Sequence, residues 1–399
     1  MRVVKVIPVA ALVVFLGHAA LGGEPITVGE RLTIASKVLG EGRTILVSTP
    51  PGYGRGQQRY PVLYLTDGDA HLTHTRGTVD FLARNGLMPQ VIIVGITNTD
   101  RNRDLTPSRV PVRTLGGRTF QLPTSGGADN FLNFIDAELV PYVEASYRTE
   151  PFRILCGHSF GGLLATHALF ARPELFNAII AVSPTLAWDD DLMLKRGKRF
   201  FAERADLKRA FFMTLGDEGE QYRTAFDRFA KVLKGNKASG FRWATMILED
   251  EDHGSTVLRS HYYGLKMIYE GWRMARDPAT GDFIGTVADL KSHYEEVSER
   301  LGLTVKPPEQ VVNQMGYQAL QRQERATALE FFRFNVAGYP DSANVYDSLG
   351  EGLEQDGQLD VALESYRTAY QIGVKSGDPN SPLYKQHLER LSGKPAEQK

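Results

Sequence analysis

Between Arg153 and Leu164 the chain reads Arg-Ile-Leu-Cys-Gly-His-Ser-Phe-Gly-Gly-Leu-Leu, and few stretches of this length restrict a fold as sharply. The apolar run Ile154-Leu155-Cys156 has the character of a buried strand, and Leu163-Leu164 opens a helix-forming run. Only Gly157-His158-Ser159-Phe160-Gly161 separates them, so the chain must pass from strand to helix through one tight, strained turn. Glycine is required on both sides of that turn because a side chain there would meet the neighbouring strand and helix. Ser159 is thereby lifted above the sheet, and the first N–H groups of the following helix are free to meet an oxyanion beside it. A bare Gly-x-Ser-x-Gly is satisfied by any glycine-rich turn carrying an ordinary serine. The strand-turn-helix context is what makes Ser159 a candidate nucleophile and the Phe160 N–H a candidate oxyanion donor.

Other short apolar segments recur along the chain, at 31–38, 43–48, 60–65, 91–96, 178–182, 210–215 and 243–248. Amphipathic helical patterns fall between the later ones. From Asp129 to Ser146, Phe131, Phe134, Ile135, Leu139, Val140 and Val143 line one helical face. Apolar strands alternating with such helices predict the α/β class, a mostly parallel sheet covered on both faces in a three-layer sandwich. The first two segments, joined at Gly40-Glu41-Gly42, predict an antiparallel hairpin on its edge.

At 399 residues the chain is longer than one compact core usually organises. The strands stop near Trp272, which bounds a first domain at residues 24–275. Residues 276–308 read as a linker and a helix. From 309 to 376 the sequence matches itself at an offset of 34 residues: Val312 with Tyr346, Gly316 with Gly350, Ala328 with Ala362, Phe332 with Tyr366. That period predicts two tetratricopeptide repeats, a small all-α helical-repeat domain able to hold a protein partner. Residues 377–399 read as a C-terminal tail.

A serine hydroxyl is a weak nucleophile and needs a base that is itself oriented by an acid; behind a strand-turn-helix serine these follow in the order acid, histidine. His253 is the one histidine set in a short polar loop after a late strand, and it is the candidate base. The segment Gly216-Asp217-Glu218-Gly219-Glu220 supplies three candidate acids, with Glu218 preferred over Asp217 and Glu220. A second oxyanion donor is expected from the loop after the third sheet strand, at Gly68 or Asp69. His71, close behind that loop, and His158, beside the serine, are candidate substrate contacts. Arg101 and Arg103 open a segment of five arginines, and unpaired guanidinium groups there would bind an anionic or oxygen-rich acyl group. Pairing with Asp100 and Asp104 is the alternative.

Arg2 and Lys5 precede an apolar run from Ile7 to Leu16 and then small residues, the layout of a signal peptide over residues 1–22. A periplasmic or secreted location follows as the expectation, with no integral membrane segment after leader cleavage. Cys156 is the one cysteine, so no internal disulfide can form; its apolar strand marks it as a small core residue. A formal net charge of −1 offers no global attraction to nucleic acid.

Taken together, the Ser159 turn, Tyr60 to Asp69 with its Asp-Gly-Asp, Arg101-Asn102-Arg103-Asp104-Leu105-Thr106-Pro107 and Ser183-Pro184 resemble the esterase family of α/β-hydrolases that includes esterase D and enterochelin esterases. The resemblance spans roughly residues 24–275. It implies an α/β-hydrolase fold and cleavage of a small-molecule ester through an acyl-serine, with no cofactor and no metal. Siderophore-type and short acyl esters are both open as substrates. Two other readings stay open: a non-catalytic scaffold that works through its repeats, and an acyltransferase using the same triad.

Overall fold

The computed structural model describes residues 26–55, 57–115 and 117–393; the leader read at residues 1–22 lies outside them. The main sheet has eight strands: β1 (Glu30–Ser36), β2 (Glu41–Ser48), β3 (Tyr60–Thr66), β4 (Ile92–Ile96), then, beyond a small hairpin of β5 (Val112–Leu115) and β6 (Arg118–Gln121), β7 (Thr149–His158), β8 (Ala178–Val182), β9 (Ala210–Gly216) and β10 (Arg242–Leu248). Their spatial order is β1-β2-β4-β3-β7-β8-β9-β10. β1 and β2 are antiparallel at one edge, and the other six are parallel. Every residue of β3, β4, β8 and β9 is buried, as expected of strands covered on both faces.

Helices α1 (Gly68–Arg84), α2 (Arg101–Leu105), α3 (Ala128–Phe134), α4 (Val140–Ser146), α5 (Phe160–Ala171), α6 (Leu192–Ala202), α7 (Glu220–Gly235) and α8 (Thr256–Ile268) connect the strands or follow them. The strand pleat sends successive residues to opposite layers. Tyr64, Val94 and Leu155 pack with Phe131, Phe134, Leu164 and Phe229 of α3, α5 and α7. Leu63, Ile93 and Ile154 pack with Val79, Leu265 and Ile268 of α1 and α8. This is the three-layer α/β-hydrolase architecture. The pattern read from 129 to 146 is continuous helix, α3 running through a π-helical stretch at Ile135–Leu139 into α4.

The chain ends in helices α9 (Val287–Leu301), α10 (Glu309–Gln321), α11 (Arg325–Gly338), α12 (Ala343–Gln355), α13 (Leu359–Ser376) and α14 (Ser381–Leu391). A capping box between Thr286 and Asp289 starts α9, and left-handed Gly302 ends it. α10 with α11 and α12 with α13 form two helical hairpins at the 34-residue spacing. In each, a glycine lies under an aromatic ring of its partner helix, Gly316 under Phe332 and Gly350 under Tyr366. The stretch read as a tail carries α14, because Tyr384 is buried against Ala343 and Ala369 and so covers the last hairpin. Val287, Leu290, Tyr294, Val312, Met315 and Phe331 belong to the same apolar cluster as Leu63 and Ile93 of the sheet.

Candidate active site

β3 and β7 lie side by side, and each turns into a helix through one non-glycine residue in a left-handed conformation: Asp67 at φ 53° and Ser159 at φ 61°. Such residues cost about 1–3 kcal/mol each and persist only where their surroundings dictate them. Around Ser159 they do. Its N–H donates to the Val182 carbonyl at 2.9 Å, and its carbonyl accepts from Leu163 at 2.9 Å and Thr185 at 3.3 Å. A Cβ at position 157 would stand 2.2 Å from the Gly161 carbonyl oxygen, and one at 161 would stand 2.2 Å from Thr66 Oγ1. One at Gly68 would stand 2.5 Å from the carbonyl carbon of Gly95. The contact of Gly161 with Thr66 and Asp67 brings the start of α5 against the start of α1. The candidate donors Phe160, Gly68 and Asp69 therefore sit on two adjoining helix N-termini, whose first N–H groups have no intrahelical acceptor.

The loops after β9 and β10 bring Glu218 to His253. Glu218 Oε2 lies 2.5 Å from His253 Nδ1, while Oε1 accepts the Gly216 N–H at 3.0 Å and the Ser183 hydroxyl. The Glu218 side chain is 2% exposed and that of His253 39%. Burial raises the Glu218 carboxyl, but the hydrogen bonds from His253, Ser183 and Gly216 outweigh it and hold the group below the usual carboxylate range. With Nδ1 on a carboxylate, the imidazole carries its proton there and leaves Nε2 as the basic nitrogen. Asp217 and Glu220 are exposed, and neither side chain is paired with His253. Selection among the three acids comes from Gly216, where a Cβ would stand 2.6 Å from the Glu251 carbonyl oxygen; the two loops close only at that distance.

His158 supports the histidine loop from below, its Nε2 lying 2.7 Å from the His253 carbonyl oxygen and the rings 4.7 Å apart. Burial pushes His158 down to about 4, so it is a neutral donor at ordinary pH. His71 stands edge-on behind it at 5.6 Å, and His74 and His261 stand edge-on to His71 at 5.2 and 6.3 Å. Burial lowers all three.

The two arginines read as substrate contacts are committed elsewhere. Arg101 chelates Asp67 at 2.6 and 3.1 Å and donates to the His158 carbonyl at 3.2 Å. Arg103 spans Glu41, at 2.6 and 3.1 Å, and Asp104, at 2.7 Å. The buried carboxylates of Asp67 and Asp104 require these counter-ions. Asp100 instead caps α2 through the Arg103 N–H.

Of the other three arginines in the segment from Arg101 to Arg118, Arg109 and Arg118 are exposed, and Arg113, on β5, is half-buried. It donates to the Ala187 carbonyl at 3.1 Å and lies 5.5 Å over the Trp188 ring, with no carboxylate partner among the described residues. Burial lowers it. Trp188 stands edge-on to Phe160 at 5.4 Å, and Tyr222 lies 5.7 Å from the His253 ring. Sequence reasoning singled out neither aromatic. The one signal was arithmetic: five arginines against two acids between positions 100 and 118.

Residues 36–255 match the family model described as "Putative esterase". The chain is 32% identical over 168 residues to the ferri-bacillibactin esterase BesA of Bacillus subtilis, covering 38% of this chain and 56% of that protein. It is 30% identical over 255 residues to the siderophore triacetylfusarinine C esterase of Aspergillus fumigatus, covering 55% of this chain and 84% of that one. Thus the match spans just over half the length of the bacterial relative and most of the fungal one. An IroE-like serine hydrolase from Shewanella oneidensis superposes with a TM-score of 0.67 at 28% identity, over 77% of this chain and 98% of its own. On its sequence match and its fold, this chain belongs to the esterase family of α/β-hydrolases.

Proposed function

We propose that the chain hydrolyses carboxylic esters through an acyl-serine formed on Ser159. The observation that carries the reading is the buried Glu218 carboxylate held 2.5 Å from His253 Nδ1, beyond the carboxyl ends of the same set of parallel strands as the strained serine. His253 Nε2 takes the Ser159 proton as Oγ bonds to the ester carbonyl carbon, and Glu218 stabilises the imidazolium. The carbonyl oxygen becomes an oxyanion held by the Phe160 N–H and by that of Gly68 or Asp69. Collapse breaks the ester C–O bond, and His253 passes its proton to the departing alcohol. Water then gives a proton to His253 as it attacks the acyl carbon, and the carboxylic acid leaves with Ser159 reprotonated.

Arg113 and Tyr222, with Arg113 backed by the buried Trp188 ring, favour an acyl group that is oxygen-rich and carries negative charge. A half-buried cation without a carboxylate is completed by an anionic ligand. Two of the relatives are named for siderophore esters, and a siderophore-type ester is the substrate class proposed for this chain. The leader predicts action in the periplasm or outside the cell, and the helical hairpins are read as tetratricopeptide repeats with room for a protein partner.

Turnover of an aryl ester and labelling by a fluorophosphonate test the reading together. Ser159→Ala should remove both, a loss of roughly 10³-fold or more in kcat, with the melting temperature kept. Undiminished turnover in that variant sinks the assignment. Arg113→Ala should raise KM about tenfold for a carboxylate-bearing acyl ester and leave a neutral one unchanged.

A further inference from the structure

A second group of ligating side chains sits in the C-terminal helices, apart from the hydrolase sheet. α12 places Asp347 and Glu351 one turn apart, hence on one face, and α14 brings His387 to them. His387 Nδ1 lies 2.9 Å from Asp347 Oδ1 and 3.9 Å from Glu351 Oε1, and one ligating atom from each residue lies within 4.8 Å of the other two. Donors about 2.0–2.2 Å from a zinc ion stand about 3–4 Å from one another, so small rotations bring all three onto one ion.

Charge at the cluster is unbalanced. The Asp347 side chain is 7% exposed, and two carboxylates face a single imidazole. Arg390, which borders the same pocket, is spent on Glu354 through two bonds of 2.5 and 2.6 Å. Among the described residues neither Asp347 nor Glu351 has a lysine or arginine partner. A buried carboxylate in that condition is strongly stabilised by an added cation.

Two further features are those of a metal site. The Tyr317 hydroxyl, from α10, donates to Glu351 Oε2 at 3.0 Å and fixes that carboxylate from outside, leaving Oε1 toward His387. A pocket of about 360 Å³ bordered by Glu351, Glu354, Gln355, His387 and Arg390 opens on the cluster, giving an entry path and space for a coordinating water. An imidazole with two carboxylates suits a borderline ion such as Zn²⁺ better than the hard, all-oxygen ions Mg²⁺ and Ca²⁺.

We propose that Asp347, Glu351 and His387 bind one divalent transition-metal ion, which pins α14 onto α12. The ion takes the Nδ1 lone pair, and the proton shared there with Asp347 moves to Nε2 or leaves to water; affinity therefore falls as pH is lowered. The site is independent of ester hydrolysis.

Titrating the full chain with Zn²⁺ alone, by calorimetry at pH 7.5, should give one saturable site that Mg²⁺ does not compete for. His387→Ala and Glu351→Gln should each weaken it at least tenfold, with circular dichroism confirming that both fold. Asp347→Asn is a third variant, kept secondary because its position is buried. Added Zn²⁺ should raise the melting temperature of the parent chain and not of the variants, and Co²⁺ should give a visible absorption band only in the parent. No saturable binding by the parent chain, or binding equal in all variants, overturns the proposal; the second outcome would move the ion to another group, such as the histidines beneath Ser159.

Discussion

The turn at Ser159 and the C-terminal helical hairpins both close on glycine, but on different kinds of neighbour. At the turn, a Cβ on Gly157 would strike the backbone of Gly161, and one on Gly68 the backbone of Gly95. In the hairpins, a Cβ on Gly316 would meet the Phe332 ring at 2.5 Å and one on Gly350 the Tyr366 ring at 2.6 Å. Backbone in a buried parallel sheet has nowhere to go, whereas a ring can change rotamer or be replaced by a smaller residue. The first region therefore tolerates one short motif, and the second a register whose residues vary together.

Three experiments probe that contrast, in order of expected effect. Glu218→Gln keeps the shape of the proposed triad and removes its charge; kcat should fall about 10²–10⁴-fold with little change in KM, as when a triad acid is lost while its geometry survives. The same substitution strategy in the hairpins, Ser348→Ala for example, should leave kcat untouched. If Glu218→Gln were as active as the parent, Glu218 would not be the acid that serves His253.

Stability separates the two regions next. Gly157→Ala should cost more than about 3 kcal/mol in urea unfolding or prevent folding, while Gly350→Ala should cost about 1–3 kcal/mol, the range for overpacking that neighbours can relieve. Equal costs would erase the distinction between rigid and yielding contacts.

Acid should loosen the serine side of the molecule first. His158 titrates near 4 when folded and near 6.5 as a free side chain, so the unfolded chain takes up its proton at the higher pH. The stability it contributes is fully present above about pH 6.5 and is lost as pH falls toward 4; His71, His74 and His261 are shifted the same way. Protection factors against hydrogen exchange, corrected for the slower intrinsic rate in acid, should fall in α1 and α8 through that window before they do in α12 and α13. A flat melting temperature between pH 6.5 and 4 would count against the histidine stack.

How much could be read in advance follows the same contrast. Twelve residues sufficed for Ser159, because every constraint on it lies within the segment or in the sheet any such segment implies. Glu218 could only be narrowed to one of three neighbouring carboxylates. What selects it is Gly216 meeting the 251–252 backbone and the Ser183 hydroxyl reaching across from β8, and neither leaves a local trace. The alternative of local pairing holds for Arg103 with Asp104, but the remaining partners are remote and leave no local trace: Asp67 lies 34 positions from Arg101 and Glu41 lies 62 from Arg103. The segment 377–399 is polar enough to pass for a tail, and α14 forms there because one tyrosine, Tyr384, finds a slot on the last hairpin.

The apolar cluster that runs unbroken from Ile93 and Leu265 through Tyr294 to Met315 and Phe331 bears on how the molecule comes apart. Two units that differ so much in design share one cooperative melting event, since neither can open without wetting the face of the other. A fragment cut at residue 275 would present Tyr269 and Met274 to solvent and sediment as aggregates, so the helices behave as the outer wall of the hydrolase, not as a detachable module.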